Sequence, residues 1–190
     1  MPRRRLALAA ASGVVIASLA VAVVLAVAGD GEPATDGEFV LDQPGIYQEP
    51  VVTVELHGQP LPAVVLSDAE GVARPLAAFS GQPLVVNMWY SDCAPCAAEL
   101  RDFAKVSADL AGDVQFVGIN PQDDAATMLE FAGARGVDYP LLLDPELRFV
   151  TAVPVTAYPT TLFVSADGVI VHQTNAIGAD ELRATIEEVF

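Results

Sequence analysis

The chain has 190 residues, 53% of them hydrophobic, and its 25 Asp and Glu outweigh nine Lys and Arg for a formal charge of −16. A surface so acidic repels phosphate backbones, which argues against nucleic-acid binding. Two cysteines are too few for a four-thiolate zinc centre.

The length suits one domain plus an extension, and the apolar excess is concentrated at the front. Arg3, Arg4 and Arg5 precede an apolar run, residues 6–29, that holds no charge and no proline. That run is long enough to cross a bilayer as one helix, and the arginines keep the N-terminus in the cytoplasm by the positive-inside rule. Ala26-Val27-Ala28 leaves a cleaved signal peptide as the alternative, and the paired arginines also permit a twin-arginine export signal. Each route places the rest of the chain outside the cytoplasm. The expected organisation is a cytoplasmic stretch over 1–5, a membrane anchor or signal over 6–29, a linker over 30–57 and a folded domain over 58–190. Beyond the three leading arginines, six Lys and Arg face all 25 Asp and Glu, formally −19.

The Gly-, Pro- and acid-rich residues 30–50 read as a tether, with a possible strand over Pro50–Leu56 and His57 in the turn that follows. Residues 58–66 and 72–76 read as two short strands around the turn Ser67-Asp68-Ala69-Glu70-Gly71. The β-branched run Leu84-Val85-Val86-Asn87-Met88-Trp89 reads as a buried strand. Tyr90-Ser91-Asp92 is a polar turn, and a helix runs to Leu110 with Leu100, Phe103, Ala104, Val106 and Leu110 at core spacing. A strand follows over 114–120. Pro121 to Asp124 supply helix-start chemistry for a helix to about Ala134, with Met128, Leu129 and Phe131 turned inward. A strand over 139–143, a short helix over 145–150, a strand ending at Val164, a Ser165–Gly168 hairpin turn, a strand to His172 and a closing helix over 180–189 complete the chain. In the last helix Leu182, Ile186 and Val189 face inward. Strands alternating with helices argue an α/β layered domain.

The chemistry is concentrated at Cys93-Ala94-Pro95-Cys96, which holds both cysteines at the start of a helix that leaves a strand. Two intervening residues let the sulfurs bond within one helical turn, and the unpaired N–H groups and dipole of a helix start favour thiolate. Cys93, at the exposed end, is then the nucleophile, and Cys96, one turn further in, resolves the mixed disulfide. The competing assignments are a purely structural disulfide and half of a metal site.

The 58–76 hairpin, Gly81-Gln82-Pro83 before the Val-rich strand, Asn87-Met88-Trp89, the Cys-Ala-Pro-Cys motif and Glu99 together resemble the membrane-anchored TlpA/ResA-like thioredoxin-fold thiol–disulfide oxidoreductases. The resemblance spans residues 58–190. It implies a thioredoxin-like fold, a central mixed β-sheet flanked by helices, with an N-terminal β-hairpin and an inserted helix and strand, preceded by one transmembrane helix. It further implies a cis bond between Tyr158 and Pro159, in a loop where Tyr158, Pro159 and Thr160 present backbone groups to substrate. Trp89 reads most simply as core or rim packing near the site, and substrate binding is its other reading. Glu99, three residues past Cys96, becomes the group that exchanges a proton with that thiol; from spacing alone it would be an ordinary surface glutamate. Asn87 stands where thioredoxins proper carry a buried aspartate, which adds weight to Glu99. Asp92 and Arg101 depart from the family pattern, and Asp92 either opposes thiolate formation or caps the helix. The implied function is reduction of disulfides in exported proteins, such as apocytochrome c or copper-site proteins. No cofactor is needed, and a membrane electron donor restores the dithiol. An oxidase of the same fold is the alternative, and a copper-delivery module is further off because it wants a longer cysteine spacing with a histidine in reach, for which only His172 stands near.

Overall fold

The computed structural model describes residues 55–190. The cytoplasmic stretch 1–5, the apolar run 6–29 and all but the last three residues of the 30–57 linker lie outside the described residues. Seven strands, β1 (Val65–Ser67), β2 (Ala73–Pro75), β3 (Leu84–Met88), β4 (Gln115–Asn120), β5 (Leu141–Leu143), β6 (Thr160–Val164) and β7 (Ile170–Thr174), form one sheet in the order β2-β1-β5-β4-β3-β6-β7. Four α-helices accompany them among the described residues: α1 (Ala94–Asp109), α2 (Ala125–Gly133), α3 (Arg148–Ala152) and α4 (Ala179–Val189).

β3 is an inner strand of the sheet, and all five of its residues are apolar or amide and all are buried. It runs parallel to β4 and antiparallel to β6, while β5 extends the parallel side and the β1–β2 hairpin continues it antiparallel. The sheet is therefore mixed, as expected, with α2 and β5 as the inserted helix and strand. Alternation along β3 divides the core. Val86 and Met88 pack with Val117, Ile119, Leu162 and Phe149 on one face. Val85 packs on the other with Phe103 and Val106 of α1 and with Leu182 and Ile186 of α4. Burying a side chain such as Phe103 contributes about 1.5–3 kcal/mol, and the apolar stripes of α1 and α4 hold those helices to the sheet.

Three expectations need correction. The strand expected over 58–66 is reduced to the start of β1 at Val65 and Leu66 and a single antiparallel bridge between Pro60 and Val169, and Pro60 and Pro62 have no N–H to donate to a longer ladder. Gly58 and Leu61 instead donate to the Ile170 and Gly168 carbonyls, each at 2.8 Å, beside β7. Leu129 is 48% exposed, since the inward stripe of the nine-residue α2 is Met128 and Ala132, and Leu129 lies about 100° round the helix from it. The helix expected from Pro145 begins at Arg148. The buried Asp144 carboxylate accepts the N–H groups of Arg148, Phe149 and Val150 at 2.8, 2.9 and 3.2 Å, and so serves as its cap from outside.

Gly118 of β4 marks the tightest point above β3. A Cβ there would stand 2.6 Å from Leu141 Cδ2 and 2.8 Å from Trp89 Nε1, so even a methyl group forces the packing apart. Gly118→Ala is expected to cost about 1–3 kcal/mol in urea unfolding. An unchanged midpoint and slope would show that Trp89 is not held against β4.

Candidate active site

The site is built at the carboxyl end of β3, where the chain turns from the sheet into α1. Trp89 is fully buried, stacked on Phe131 with ring centroids 5.7 Å apart. An indole so enclosed meets no substrate, and its expected substrate-binding role is corrected to packing beneath the site. The turn after it is fastened from the end of the neighbouring strand, β4. Asp123 accepts from Ser91 N at 2.7 Å and from Ser91 Oγ at 2.6 Å, and Asn120 Nδ2 donates to the same carboxylate at 2.7 Å. Short polar side chains in a loop gave no hint of this clamp in the sequence.

Cys93 is the N-cap residue of α1, and its sulfur accepts from Cys96 N at 3.3 Å. Asp92, offered as a possible cap, is exposed and does not cap the helix. The two cysteines are joined as a disulfide with Cα atoms 5.2 Å apart. Both are more enclosed than expected: Cys96 is completely buried and Cys93 is 4% exposed, in a cluster that includes Tyr90 and Tyr158. The order still holds, with Cys93 nearer the surface. Ala94 and Pro95 between them are exposed, so the motif meets solvent through its spacer. When reduced, a sulfur at the cap position faces the positive end of α1, whose first turn carries no acidic residue.

The opposite wall is the loop entering β6. The Tyr158–Pro159 peptide is cis, Pro159 is buried, and the half-buried Tyr158 ring meets Tyr90 edge to face at 5.2 Å. The Thr160 side chain is buried and donates to the Ala157 carbonyl at 2.7 Å, bracing the loop. Asn175, absent from the sequence-based site, donates to the Pro159 carbonyl at 3.2 Å.

Glu99 lies behind the cysteines, one helical turn beyond Cys96, and is only 4% exposed, which excludes the surface-glutamate alternative. Its Oε1 accepts from Asn87 Nδ2 at 2.8 Å and its Oε2 accepts from Ile177 N at 3.2 Å. Asn87 also donates to Thr161 Oγ1 at 3.1 Å, a residue that faces it across β3 and β6. Burial pushes the Glu99 carboxyl up from 4.5 to about 7; the Asn87 and Ile177 donors pull it down, and the nearby Asp102 charge adds to the rise. Two fixed donors shaped for a carboxylate, set against burial that disfavours charge, leave Glu99 poised to hold or release a proton near neutrality. Among the described residues no three His, Cys, Asp or Glu side chains group as a metal site, and His57 and His172 are both exposed.

Residues 56–188 match the Redoxin family. The chain is 27% identical over 108 residues to the thiol-disulfide oxidoreductase ResA of Halalkalibacterium halodurans, covering 56% of this chain and 61% of that protein. It is also 27% identical to ResA of Bacillus subtilis, covering 60% and 64%. The chain thus spans less than two thirds of the length of either relative. Among solved structures, a secreted Mycobacterium tuberculosis disulfide oxidoreductase described as homologous to E. coli DsbE superposes with a TM-score of 0.60 at 26% identity, over 66% of this chain and 96% of that one.

Proposed function

The chain belongs to the Redoxin family in its TlpA/ResA-like, thioredoxin-fold form, and from that premise we propose that it is an extracytoplasmic thiol–disulfide oxidoreductase that reduces disulfides of exported proteins. The observation that carries the proposal is the pairing of a Cys-x-x-Cys disulfide at a helix cap with a buried carboxyl one turn behind it. The Cys93 thiolate attacks one sulfur of the partner's disulfide, forming a mixed disulfide and releasing the partner's first thiolate. Glu99 then takes the proton of Cys96, and the Cys96 thiolate attacks Cys93 Sγ. The enzyme disulfide forms and the partner leaves with its second thiol. Two electrons pass to the partner in each cycle, and a membrane donor returns them to Cys93 and Cys96.

The substrates proposed are thiol proteins exported to the same compartment, apocytochrome c and copper-site proteins among them. Residues 6–29 hold the chain in the cell membrane as a single-pass anchor with the catalytic domain outside. Direction is tested by equilibrating the full chain in detergent against glutathione buffers. A reductase is expected at about −250 mV or below, near thioredoxin, whereas a value near about −120 mV, that of a strong oxidant, overturns the reductase reading in favour of an oxidase.

A further inference from the structure

The turn that carries Cys93 is held by a carboxylate from another element. Asp123, in the loop between β4 and α2, takes three donors: Ser91 N at 2.7 Å, Ser91 Oγ at 2.6 Å and Asn120 Nδ2 at 2.7 Å. Asn120 is itself fixed, because it is buried at the end of β4 and its Oδ1 accepts from Gln122 N at 3.0 Å and from Asp123 N at 2.9 Å. The half-buried Asp123 carboxylate, an acceptor-only group, is therefore pinned by three hydrogen bonds rather than free to swing into water. Ser91 stands two residues before Cys93, and two residues of extended chain span at most about 7 Å. With the 2.7 Å hydrogen bond added, the carboxylate lies within roughly 10 Å of the Cys93 backbone.

A fixed negative charge at this range acts on the charge of the sulfur. Once the disulfide is reduced, Cys93 exchanges between thiol and thiolate, and a like charge disfavours the thiolate. The charged and titratable groups around Cys93 are mostly of that same sign. Its own turn supplies Tyr90 and the exposed Asp92, α1 supplies Cys96 and the buried Glu99, and the loop before β6 supplies Tyr158. The loop before α2 supplies Asp123 and Asp124, the exposed cap of that helix. The Arg135 guanidinium reaches α1 from beyond the end of α2, but it is engaged by the Phe131 ring at 3.4 Å and by the Ala97 and Phe131 carbonyls at 3.3 and 2.8 Å. The dipole of α1 acts the other way, towards thiolate. We propose that Asp123 is a positioning residue with an electrostatic role: pinned beside the Cys93 turn, its charge opposes charge on the Cys93 sulfur and makes the dithiol a stronger reductant. A couple whose reduced form is less stabilised gives up its electrons more readily. Asp92 is nearer in sequence but stands in solvent, where salt screens it more than a half-buried, hydrogen-bonded carboxylate.

This deepens the reductase reading and rests on it for the direction of electron flow, whereas the action of Asp123 on Cys93 does not depend on it. The full chain in detergent is reduced with a phosphine and alkylated with iodoacetamide over a range of pH, and peptide mass spectrometry assigns the label to Cys93. Asp123→Asn removes the charge and keeps the shape: its oxygen accepts from Ser91 N and Asn120 Nδ2 while its N–H₂ donates to Ser91 Oγ. Ser91→Ala is the converse, leaving the charge and removing one bond of the clamp. The midpoint of Cys93 alkylation is expected to fall by about half a pH unit in Asp123→Asn and to stay in place in Ser91→Ala. At a pH above that midpoint, the same change is about threefold in the equilibrium with glutathione, or about 15 mV towards a more oxidising couple. An unshifted midpoint in Asp123→Asn overturns the proposal. An equal fall in Ser91→Ala overturns it as well, because the shape of the turn and not the charge is then what acts. The reductase reading fails separately, on the absolute potential of the wild type, while the role of Asp123 is decided by the difference between variants.

Discussion

Cys93→Ser is expected to abolish thiol–disulfide exchange turnover, while Cys96→Ser is expected to accumulate partner proteins as stable mixed disulfides. The asymmetry follows from position on α1. Cys93 holds the cap, where its sulfur already accepts from Cys96 N and is the nearer of the two to the surface; Cys96 is sealed inside the first turn. A serine at the cap keeps the hydrogen bond to the helix but is not ionised at neutral pH, so the first attack is lost and turnover falls by at least about three orders of magnitude. A serine at the inner position leaves that attack intact and removes the only group within reach that releases the partner. Insulin reduction gives the rate, and non-reducing gels with mass spectrometry of the adducts give the trapped species. Equal trapping by the two variants would falsify the division of roles.

Glu99→Gln is expected to slow release of the mixed disulfide by about a hundredfold at neutral pH and to flatten its pH dependence. In the wild type the ionised carboxylate is the form that accepts the Cys96 proton, so the resolving rate rises as pH passes through about 7. Glutamine retains the volume and an oxygen for one donor but exchanges no proton. Stability supplies a second readout with a definite sign. Between 4.5 and about 7 the folded protein holds the Glu99 proton and the unfolded chain has released it, so wild-type stability falls as pH rises through that window and levels off above it. The variant lacks this contribution to the slope. Wild-type rates and an unchanged slope together would mean that Glu99 is an ordinary buried hydrogen-bonding residue. Because glutamine presents an N–H₂ to one of the two inward N–H donors, a uniform loss of about 1 kcal/mol at all pH values is expected beside these effects and is separable from them.

The parts of the site that were legible in the sequence are those carried by local pattern. A β-branched run, a turn and an Ala-rich segment placed Cys93 and Cys96 at a strand-to-helix junction, and the structure has β3 and α1 there. The cis bond at Tyr158–Pro159 was implied by the family resemblance rather than by composition, and it is present. What was not legible lies across large separations. Glu99 gains its donors from Asn87, twelve residues back, and from the Ile177 N–H, 78 residues on. A backbone N–H belongs to nearly every residue type, so nothing in Ile177 advertises it. That Trp89 was left between packing and substrate contact has a different cause. Aromatic residues beside a motif are equally consistent with rim and core, and only the glycine at position 118 on the neighbouring strand makes room for the ring to be fully enclosed. Leu129 was turned inward on apolar character alone, whereas the short α2 has room for a single i, i+4 pair.

The separation between Glu99 and Ile177 also sets an order of events during synthesis, which runs from the N-terminus. The cysteines and Glu99 emerge together, well before the segment holding Ile177 and the Leu182 and Ile186 faces that cover α1. Until that last segment docks, Glu99 stands in water beside a dithiol with no buried acid–base group, and its carboxyl behaves like that of any exposed glutamate. A newborn chain can therefore close its own disulfide before it is able to act on that of another protein, and the final helix is the part whose arrival switches the pair from a passive thiol couple to a catalyst.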